Sequence, residues 1–328
     1  MKKLLSVLLS VCFLIACAIP AFAADYNANT DWSYSDNNDP SNRNFVRPIS
    51  LSDFKRFESK MKEFYTSFDL TPRTLKTSWD LAYLDSACSG RKLEGPIGVV
   101  PVKLNGEDYT LMILGGTAFV KNQATGVLED TLSAFENQND YLTNIVKVFN
   151  SKDENGNPVV PNNKPVIVSG ISLGGMVAQQ ILSRNDIMSN FDIRYIICFG
   201  SPLLVPECRV ESTTVVRFCD TMDIVPYLGR PEFEQLIYNS LFKINSSFNG
   251  AWNKPILKND PRDLISRLDK EEMILKEGNY KSPISAHTLS YVDGDCWTGY
   301  DVLGVYGGSN EIDMLSDIQF FANPSIRK

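Results

Sequence analysis

A serine between two glycines is the first position in this chain that could do chemistry. The β-branched apolar run Val166-Ile-Val168 leads into Gly170-Ile-Ser172-Leu-Gly174, and a helical pattern follows. In the order strand, tight turn, helix, the glycines let the strand and the helix pass close together while the serine hydroxyl projects above the sheet. We therefore take Ser172 as the candidate nucleophile, with Gly170 and Gly174 supporting its turn.

A nucleophilic serine needs a base, and the chain contains a single histidine, His287. Asp220 and Asp223 lie between Ser172 and His287, at the end of the strand-like run 213–218. Serine, aspartate and histidine in this chain order are typical of enzymes in which the aspartate orients the histidine and the histidine activates the serine. By position alone, either aspartate could be the orienting acid.

A second glycine turn could supply the N–H groups that stabilise an oxyanion. Two strand-like runs joined by Asn105-Gly106 predict a hairpin, because this dipeptide favours the tightest hairpin turn. The second run continues directly into Gly116-Thr117. Glycine at the end of an apolar strand leaves backbone N–H groups open toward a ligand, as an oxyanion hole requires.

Strands and helices alternate along the chain around these positions, which predicts an α/β domain with a doubly wound, mostly parallel sheet. The fully apolar run at 193–199 is typical of a strand that is covered on both faces. Besides the strand that begins at Val166, the predicted strands are 97–104, 109–114, 193–199 and 213–218. The predicted helices are 50–68, 75–87, 128–149 and 174–182.

An insertion lies between Gly229 and Pro283 and carries helical patterns at 232–244 and 261–276. These helices could be scaffold packed on the sheet. Part of the insertion could instead be a cap that shapes the substrate pocket. The sequence leaves both interpretations open.

The first 23 residues predict an export signal. Two lysines precede an apolar run, and Ala21-Phe-Ala23 forms a small-residue cleavage site. Cleavage after Ala23 predicts a secreted protein. A lipobox that ends at Cys17 offers a second route, to a membrane-anchored lipoprotein.

The rest of the composition is that of a globular protein with an acidic balance. The net charge of -7 argues against nucleic acid as a partner. Residues 24–47 are poor in apolar side chains and predict a flexible arm, so the folded domain is expected over 48–328. One histidine and no CxxC spacing predict no metal and no cofactor. Five cysteines follow the signal, an odd number that leaves at least one outside any pairing: Cys88, Cys198, Cys208, Cys219 and Cys296.

The motifs, in their order over about 75–291, resemble the class 3, or fungal-type, lipase family of α/β-hydrolases. The elbow resembles that family's Gly-His-Ser-Leu-Gly-Gly, and Phe199-Gly-Ser-Pro202 resembles its Phe-Gly-x-Pro. The end of the oxyanion strand corresponds to Leu114-Gly-Gly-Thr117. Asp223-Ile-Val-Pro226 is similar to the family's catalytic Asp-x-Val-Pro.

This resemblance implies an α/β-hydrolase with helices on both faces of its sheet and a helical insertion. It favours Asp223 over Asp220 as the orienting acid, and it implies the N–H groups of Thr117 and Leu173 as the oxyanion hole. Two departures mark a distant member: Ile171 stands where the family usually has histidine, and Gly115 stands where arginine is common.

The implied function is that of a secreted carboxylic-ester hydrolase, lipase-like or esterase-like. It would need no cofactor and would act on a small-molecule or lipid ester, with a lipid interface as a further partner. The alternatives among enzymes are a phospholipase, a thioesterase or an acyltransferase on the same triad. The alternative outside enzymes is a binding protein that keeps the hydrolase fold without turnover.

Overall fold

The structure, a computed structural model, describes residues 69–89, 96–116, 140–223, 225–227, 273–280, 286–287 and 289–321. Several predictions concern residues outside these ranges: the export signal, the arm, helix 50–68, the first part of helix 128–149, Thr117, and most of the insertion.

Strands and helices alternate through the described ranges. The strands are β1 (Thr74–Leu75), β2 (Ile97–Leu104), β3 (Glu107–Leu114), β4 (Val166–Ile171), β5 (Ile193–Phe199), β6 (Thr214–Asp220), β7 (Met273–Lys276), β8 (Ile312–Met314) and β9 (Gln319–Phe321). The α-helices are α1 (Ser78–Ser89), α2 (Asp140–Phe149), α3 (Leu173–Gln180), α4 (Asn185–Met188) and α5 (Gly294–Trp297). Single 3-10 turns lie at Ile181–Ser183, Pro206–Cys208 and Val225–Tyr227.

The strands form one mixed sheet in the order β1-β8-β2-β3-β4-β5-β6-β7, with β9 paired to β2. Strands β3 to β7 run parallel to one another, and β2 is antiparallel to β3, β8 and β9. The predicted mostly parallel sheet is confirmed. Its five parallel strands all end at the same edge, which is where α/β sheets carry their functional loops.

The two faces of the sheet are covered by different helices. In β4, successive side chains point to opposite faces, as the pleat of a strand requires. Val166 and Val168 pack in one buried cluster with α2 and α3, and Ile167 packs in the other with α1. All three are completely buried, so the central strand has the two-sided burial that its apolar sequence predicts.

The predicted hairpin is confirmed, and its turn explains why the sequence signal is strong. Asn105 and Gly106 both have positive φ values, 51° and 89°. A two-residue turn of this kind matches the twist of the flanking strands and favours asparagine followed by glycine. The turn leads into β3, which carries the chain to Gly115 and Gly116.

Helix α1 begins three residues later than predicted. Leu75 belongs to β1, where it pairs with Ile312. The helix is started by a reciprocal cap: the Asp80 carboxylate accepts the Thr77 N–H (3.0 Å), and the Thr77 hydroxyl accepts the Asp80 N–H (3.4 Å). Residues 78–89 therefore form the helix instead of 75–87.

The predicted helix over 261–276 is wrong at its carboxyl end. Met273–Lys276 forms β7, which pairs in parallel with Arg217–Asp220 of β6 at the edge of the sheet. A short apolar run fits either a helical or an extended period, and here the unpaired backbone groups of β6 decide in favour of a strand. The described end of the helical insertion predicted at 229–283 thus belongs to the sheet.

No helix within the described ranges is both long and apolar enough to cross a membrane.

The five cysteines that follow the predicted signal form no disulfide with one another in this part of the chain. Cys198 is completely buried in β5, as expected for a small apolar residue.

Candidate active site

Ser172 forms a strained turn between β4 and α3. Its φ of 53° and ψ of -119° lie outside the regions that non-glycine residues ordinarily adopt, and such a conformation costs about 1–3 kcal/mol. The Ser172 N–H donates to Phe199 O (2.8 Å), while Ser172 O accepts from the Ser201 hydroxyl (2.9 Å) and the Met176 N–H (3.0 Å). These three bonds hold the turn in place.

Glycine at positions 170 and 174 allows β4, α3 and β3 to approach closely. A Cβ on Gly170 would collide with the main chain of Gly174. A Cβ on Gly174 would collide with the carbonyl of Leu114, the last residue of β3. Neither position has room for a side chain, so the elbow depends on both glycines.

The fold brings Ser172, His287 and Asp223 together in one hydrogen-bonded line. Ser172 Oγ lies 2.9 Å from His287 Nε2, and His287 Nδ1 lies 2.9 Å from Asp223 Oδ2. The Asp223 side chain is completely buried and that of His287 is 18% exposed. If Nδ1 donates its proton to Asp223, Nε2 is left to accept a proton from the serine.

The two candidate aspartates occupy different positions. Asp220 is the last residue of β6, and Asp223 lies in the following turn, where its N–H donates to Asp220 O (3.0 Å). Asp223 Oδ1 accepts the Val225 N–H (2.9 Å), which leaves Oδ2 directed at the histidine. Asp220 Oδ1 accepts the Met222 N–H (2.8 Å), and burial raises the pKa of the Asp220 carboxyl above its ordinary value.

The glycine turn after β3 lies against the elbow. A Cβ on Gly116 would stand 2.8 Å from Ile171 O and 3.3 Å from Ser172 Cβ. The Gly116 N–H donates to the Ser89 hydroxyl (2.6 Å), so this amide is engaged within the protein. The next residue, Thr117, is the one implied as an oxyanion donor, and it lies outside the described residues.

The other implied donor, Leu173, is the first residue of α3. The N–H groups of the first helical turn have no acceptor within the helix, and they carry the positive end of the helix dipole. An N–H at this position, directly after the serine, suits the binding of a developing negative charge.

The two departures from the lipase motifs have a structural basis. A Cβ on Gly115 would lie 2.7 Å from Ser89 N and 2.8 Å from Cys88 C, so the end of α1 excludes any side chain there. Ile171 is 6% exposed and packs in the cluster on the α1 face, so this position is apolar and buried. Both departures are accommodated by packing against α1 and its buried cluster.

The segment Phe199-Gly-Ser-Pro202 braces the elbow from the adjacent strand. Besides the Phe199 and Ser201 contacts to Ser172, Pro202 O accepts a hydrogen bond from the side chain of Gln179 in α3 (2.8 Å). Gly200 has a positive φ of 61°, which favours glycine. The sequence pattern indicated the Phe-Gly-Ser-Pro motif, but it did not reveal that the Ser201 hydroxyl donates a hydrogen bond to the carbonyl of Ser172.

A buried arginine links the loops after β5 and β6. The Arg217 guanidinium donates to Ser201 O (2.9 Å) and to Pro226 O (3.0 Å). It therefore ties the loop that braces the elbow to the loop that carries Asp223. Its position in the apolar strand β6 gave no signal in the sequence, because the carbonyls that it binds belong to other loops.

Comparison with known proteins supports the same fold. A family model described as "PGAP1-like alpha/beta domain" matches residues 128–231, about a third of the chain. The chain has an α/β-hydrolase fold. The match covers the elbow and Asp223 and ends before His287. It is to an α/β-hydrolase-type family, and the finer resemblance to class 3 lipases stays a prediction. Searches of curated proteins and of solved structures gave no match.

Proposed function

We propose that this chain is a serine carboxylic-ester hydrolase, lipase-like or esterase-like, that works through an acyl-enzyme on Ser172. The single observation that carries the proposal is the line of hydrogen bonds from Ser172 Oγ through the His287 ring to Asp223, with both separations at 2.9 Å. The match to an α/β-hydrolase-type family supports it independently.

In the first half of the reaction, Ser172 Oγ attacks the carbonyl carbon of the ester. His287 Nε2 takes the serine proton, and Asp223 stabilises the resulting imidazolium and keeps the ring oriented. The N–H groups of Thr117 and Leu173 stabilise the oxyanion. His287 then gives its proton to the departing alcohol oxygen, and the acyl group stays on Ser172.

In the second half, a water molecule replaces the alcohol. His287 takes a proton from this water as its oxygen attacks the acyl carbon, and returns a proton to Ser172 Oγ when the acid leaves. The strained elbow suits both halves because it presents the hydroxyl above the sheet edge. The substrates that we propose are small-molecule or lipid esters, met at a lipid interface or in solution after export through the signal at 1–23.

The test compares the mature chain with its Ser172→Ala variant on p-nitrophenyl esters of graded acyl length. Loss of the nucleophile is expected to lower kcat by about 10⁴-fold or more. Ser183→Ala is the matched control, because the Ser183 hydroxyl donates to Gln180 O (2.8 Å) at the far end of α3. Equal turnover by wild type and Ser172→Ala would refute the proposal.

A further inference from the structure

Tyr291 lies four residues after His287 in the sequence, and its side chain is completely buried in the structure. Its ring stacks on Trp297, with centroids 5.8 Å apart and planes at 8°, and meets Phe199 edge-on at 6.3 Å. These ring contacts fix the direction in which the phenol points. The sequence motifs do not include this tyrosine.

The Tyr291 hydroxyl contacts the same carboxylate oxygen as the histidine. It donates to Asp223 Oδ2 at 2.7 Å and accepts the Asp220 N–H at 3.1 Å. Because an N–H can only donate, the Asp220 amide occupies a lone pair of the hydroxyl and leaves its proton for Asp223. Burial raises the pKa of Tyr291 well above its ordinary value, so the phenol stays protonated and remains a donor.

The end of β5 is shaped around this pair. A Cβ on Gly200 would lie 2.7 Å from Tyr291 Cε2 and 3.0 Å from Asp223 Oδ2. The positive φ of Gly200 independently favours glycine. The Phe-Gly-Ser-Pro segment therefore leaves the space in which the tyrosine and the aspartate meet.

We propose that Tyr291 is a positioning residue that keeps Asp223 directed at His287 and lowers the degree to which the Asp223 carboxylate stabilises the protonated His287 ring. This inference rests on the proposed function. Within the described residues, Asp223 receives three donors: Val225 N–H on Oδ1, and both Tyr291 and His287 on Oδ2. A donor that shares Oδ2 draws negative charge away from the histidine, so the imidazolium is stabilised less than it would be by an unshared carboxylate.

Within the described residues, titratable groups of two elements lie around this cluster: Asp220 and Cys219 of β6, and Cys296 of α5, which interacts with Asp220. The Asp220 carboxyl lies close enough to Asp223 for the two to interact electrostatically, and the Cys219 thiol lies close to Tyr291. The β5 side contributes Phe199 and Gly200, which do not titrate. Removing only the Tyr291 hydroxyl leaves all these groups in place and removes two hydrogen bonds, one to Asp223 and one from the Asp220 N–H. Of these two, only the bond to Asp223 acts on the carboxylate that contacts His287, so a change in His287 titration reports its loss.

The test uses the fact that His287 is the only histidine in the chain. Its ring nitrogens can be followed by NMR in the full mature protein, made without a histidine tag, while pH is varied. In Tyr291→Phe the midpoint of the His287 titration is expected to rise by about 0.5–1 pH unit, since a hydrogen bond to a charged group corresponds to about 1–2 pH units and only part of its loss at Asp223 is transmitted to the ring. Tyr109→Phe is the control, because this buried tyrosine lies near the amino end of β3, whereas the candidate site lies at the carboxyl ends of the parallel strands.

A second variant is expected to shift the His287 titration midpoint in the opposite direction, and it tests the proposal even if Tyr291→Phe does not fold. Replacement of Tyr291 by 3-fluorotyrosine keeps the shape and makes the phenol a stronger donor, so the midpoint is expected to fall. A midpoint that does not move in either variant, or that moves in the opposite direction, would overturn the proposal.

Ester turnover supplies an independent reading. In Tyr291→Phe, the acid limb of the kcat/KM profile is expected to move up with the NMR midpoint, and kcat is expected to fall about 2- to 10-fold with KM little changed. The NMR midpoint does not depend on turnover. Failure of Ser172→Ala to abolish activity would therefore refute the proposed function without deciding whether Tyr291 tunes His287.

Discussion

Replacing Asp85 by asparagine is expected to change how the stability of this protein depends on pH. Asp85 lies in α1 with no exposed surface, and its Oδ2 accepts a hydrogen bond from Ser169 Oγ (2.7 Å), three residues before Ser172 in β4. Within the described residues, Oδ1 has no hydrogen-bond partner. Burial raises the pKa of this carboxyl well above its ordinary value, and the Ser169 hydrogen bond only partly opposes the rise.

The direction of the pH dependence follows from which state, folded or unfolded, binds the Asp85 proton more tightly. The folded protein holds the Asp85 proton more tightly than the unfolded chain, so this contribution to stability is fully present below about pH 4 and is lost as the pH rises through the raised folded pKa. Between those two values, the free energy of unfolding falls by about 1.4 kcal/mol per pH unit.

Asparagine removes this decline because it does not titrate. It keeps an acceptor for Ser169, but it places an amide nitrogen near the unpartnered position, which costs about 1–3 kcal/mol at every pH. Wild type is therefore expected to be the more stable protein near pH 4. Its advantage should shrink as the pH rises and then reverse.

Urea unfolding of wild type and Asp85→Asn at intervals from pH 4 to pH 9 measures this difference. Other groups titrate equally in both proteins, so their contributions cancel when one curve is subtracted from the other. A difference that stays constant over the whole range would refute the reasoning, because it would mean that the buried carboxyl has the same affinity for protons in the folded and unfolded states.

Two further predictions concern the site. Labelling of Ser172 by a fluorophosphonate is expected to be abolished in His287→Ala and to slow by about 10³- to 10⁴-fold in Asp223→Asn. In Asp220→Asn the labelling rate should stay within a few-fold of wild type. A strong loss of labelling in Asp220→Asn alone would show that Asp220, and not Asp223, orients the histidine. Ser89→Ala leaves the buried Gly116 N–H without its acceptor, so urea unfolding should show that the free energy of unfolding falls by about 1–3 kcal/mol. In the same variant kcat should fall with KM little changed, because the turn beside Ser172 is released. Unchanged stability would contradict this prediction, because it would show that the amide finds another partner.

Local chemistry made much of the fold predictable. The apolar run at 193–199 is a buried strand over the predicted residues, and Asn105-Gly106 forms the predicted turn. Glycines at 170 and 174 signalled a close strand-to-helix crossing, and both positions exclude a Cβ. Each of these signals depends on the conformation or burial of neighbouring residues, which the sequence displays directly.

Elements whose conformation depends on distant partners were not predictable in this way. Met273–Lys276 reads as the end of an amphipathic helix, yet it pairs with the edge of β6, a strand more than fifty residues earlier in the chain. Leu75 similarly leaves its helical pattern to pair with Ile312. In both cases, backbone hydrogen bonds to a distant strand outweigh a weak local preference.

The sequence by itself determined the candidate serine, the only available histidine and an α/β chain order that could unite them. The residues alone left Asp220 and Asp223 as equal candidates. Only the tertiary structure placed Asp223 Oδ2 at 2.9 Å from the histidine, with Tyr291 on the same oxygen and Ser89 on the Gly116 amide. Hydrogen bonds of this kind join positions that are tens of residues apart, so no local pattern encodes them, and they exist only once the strands and helices have packed.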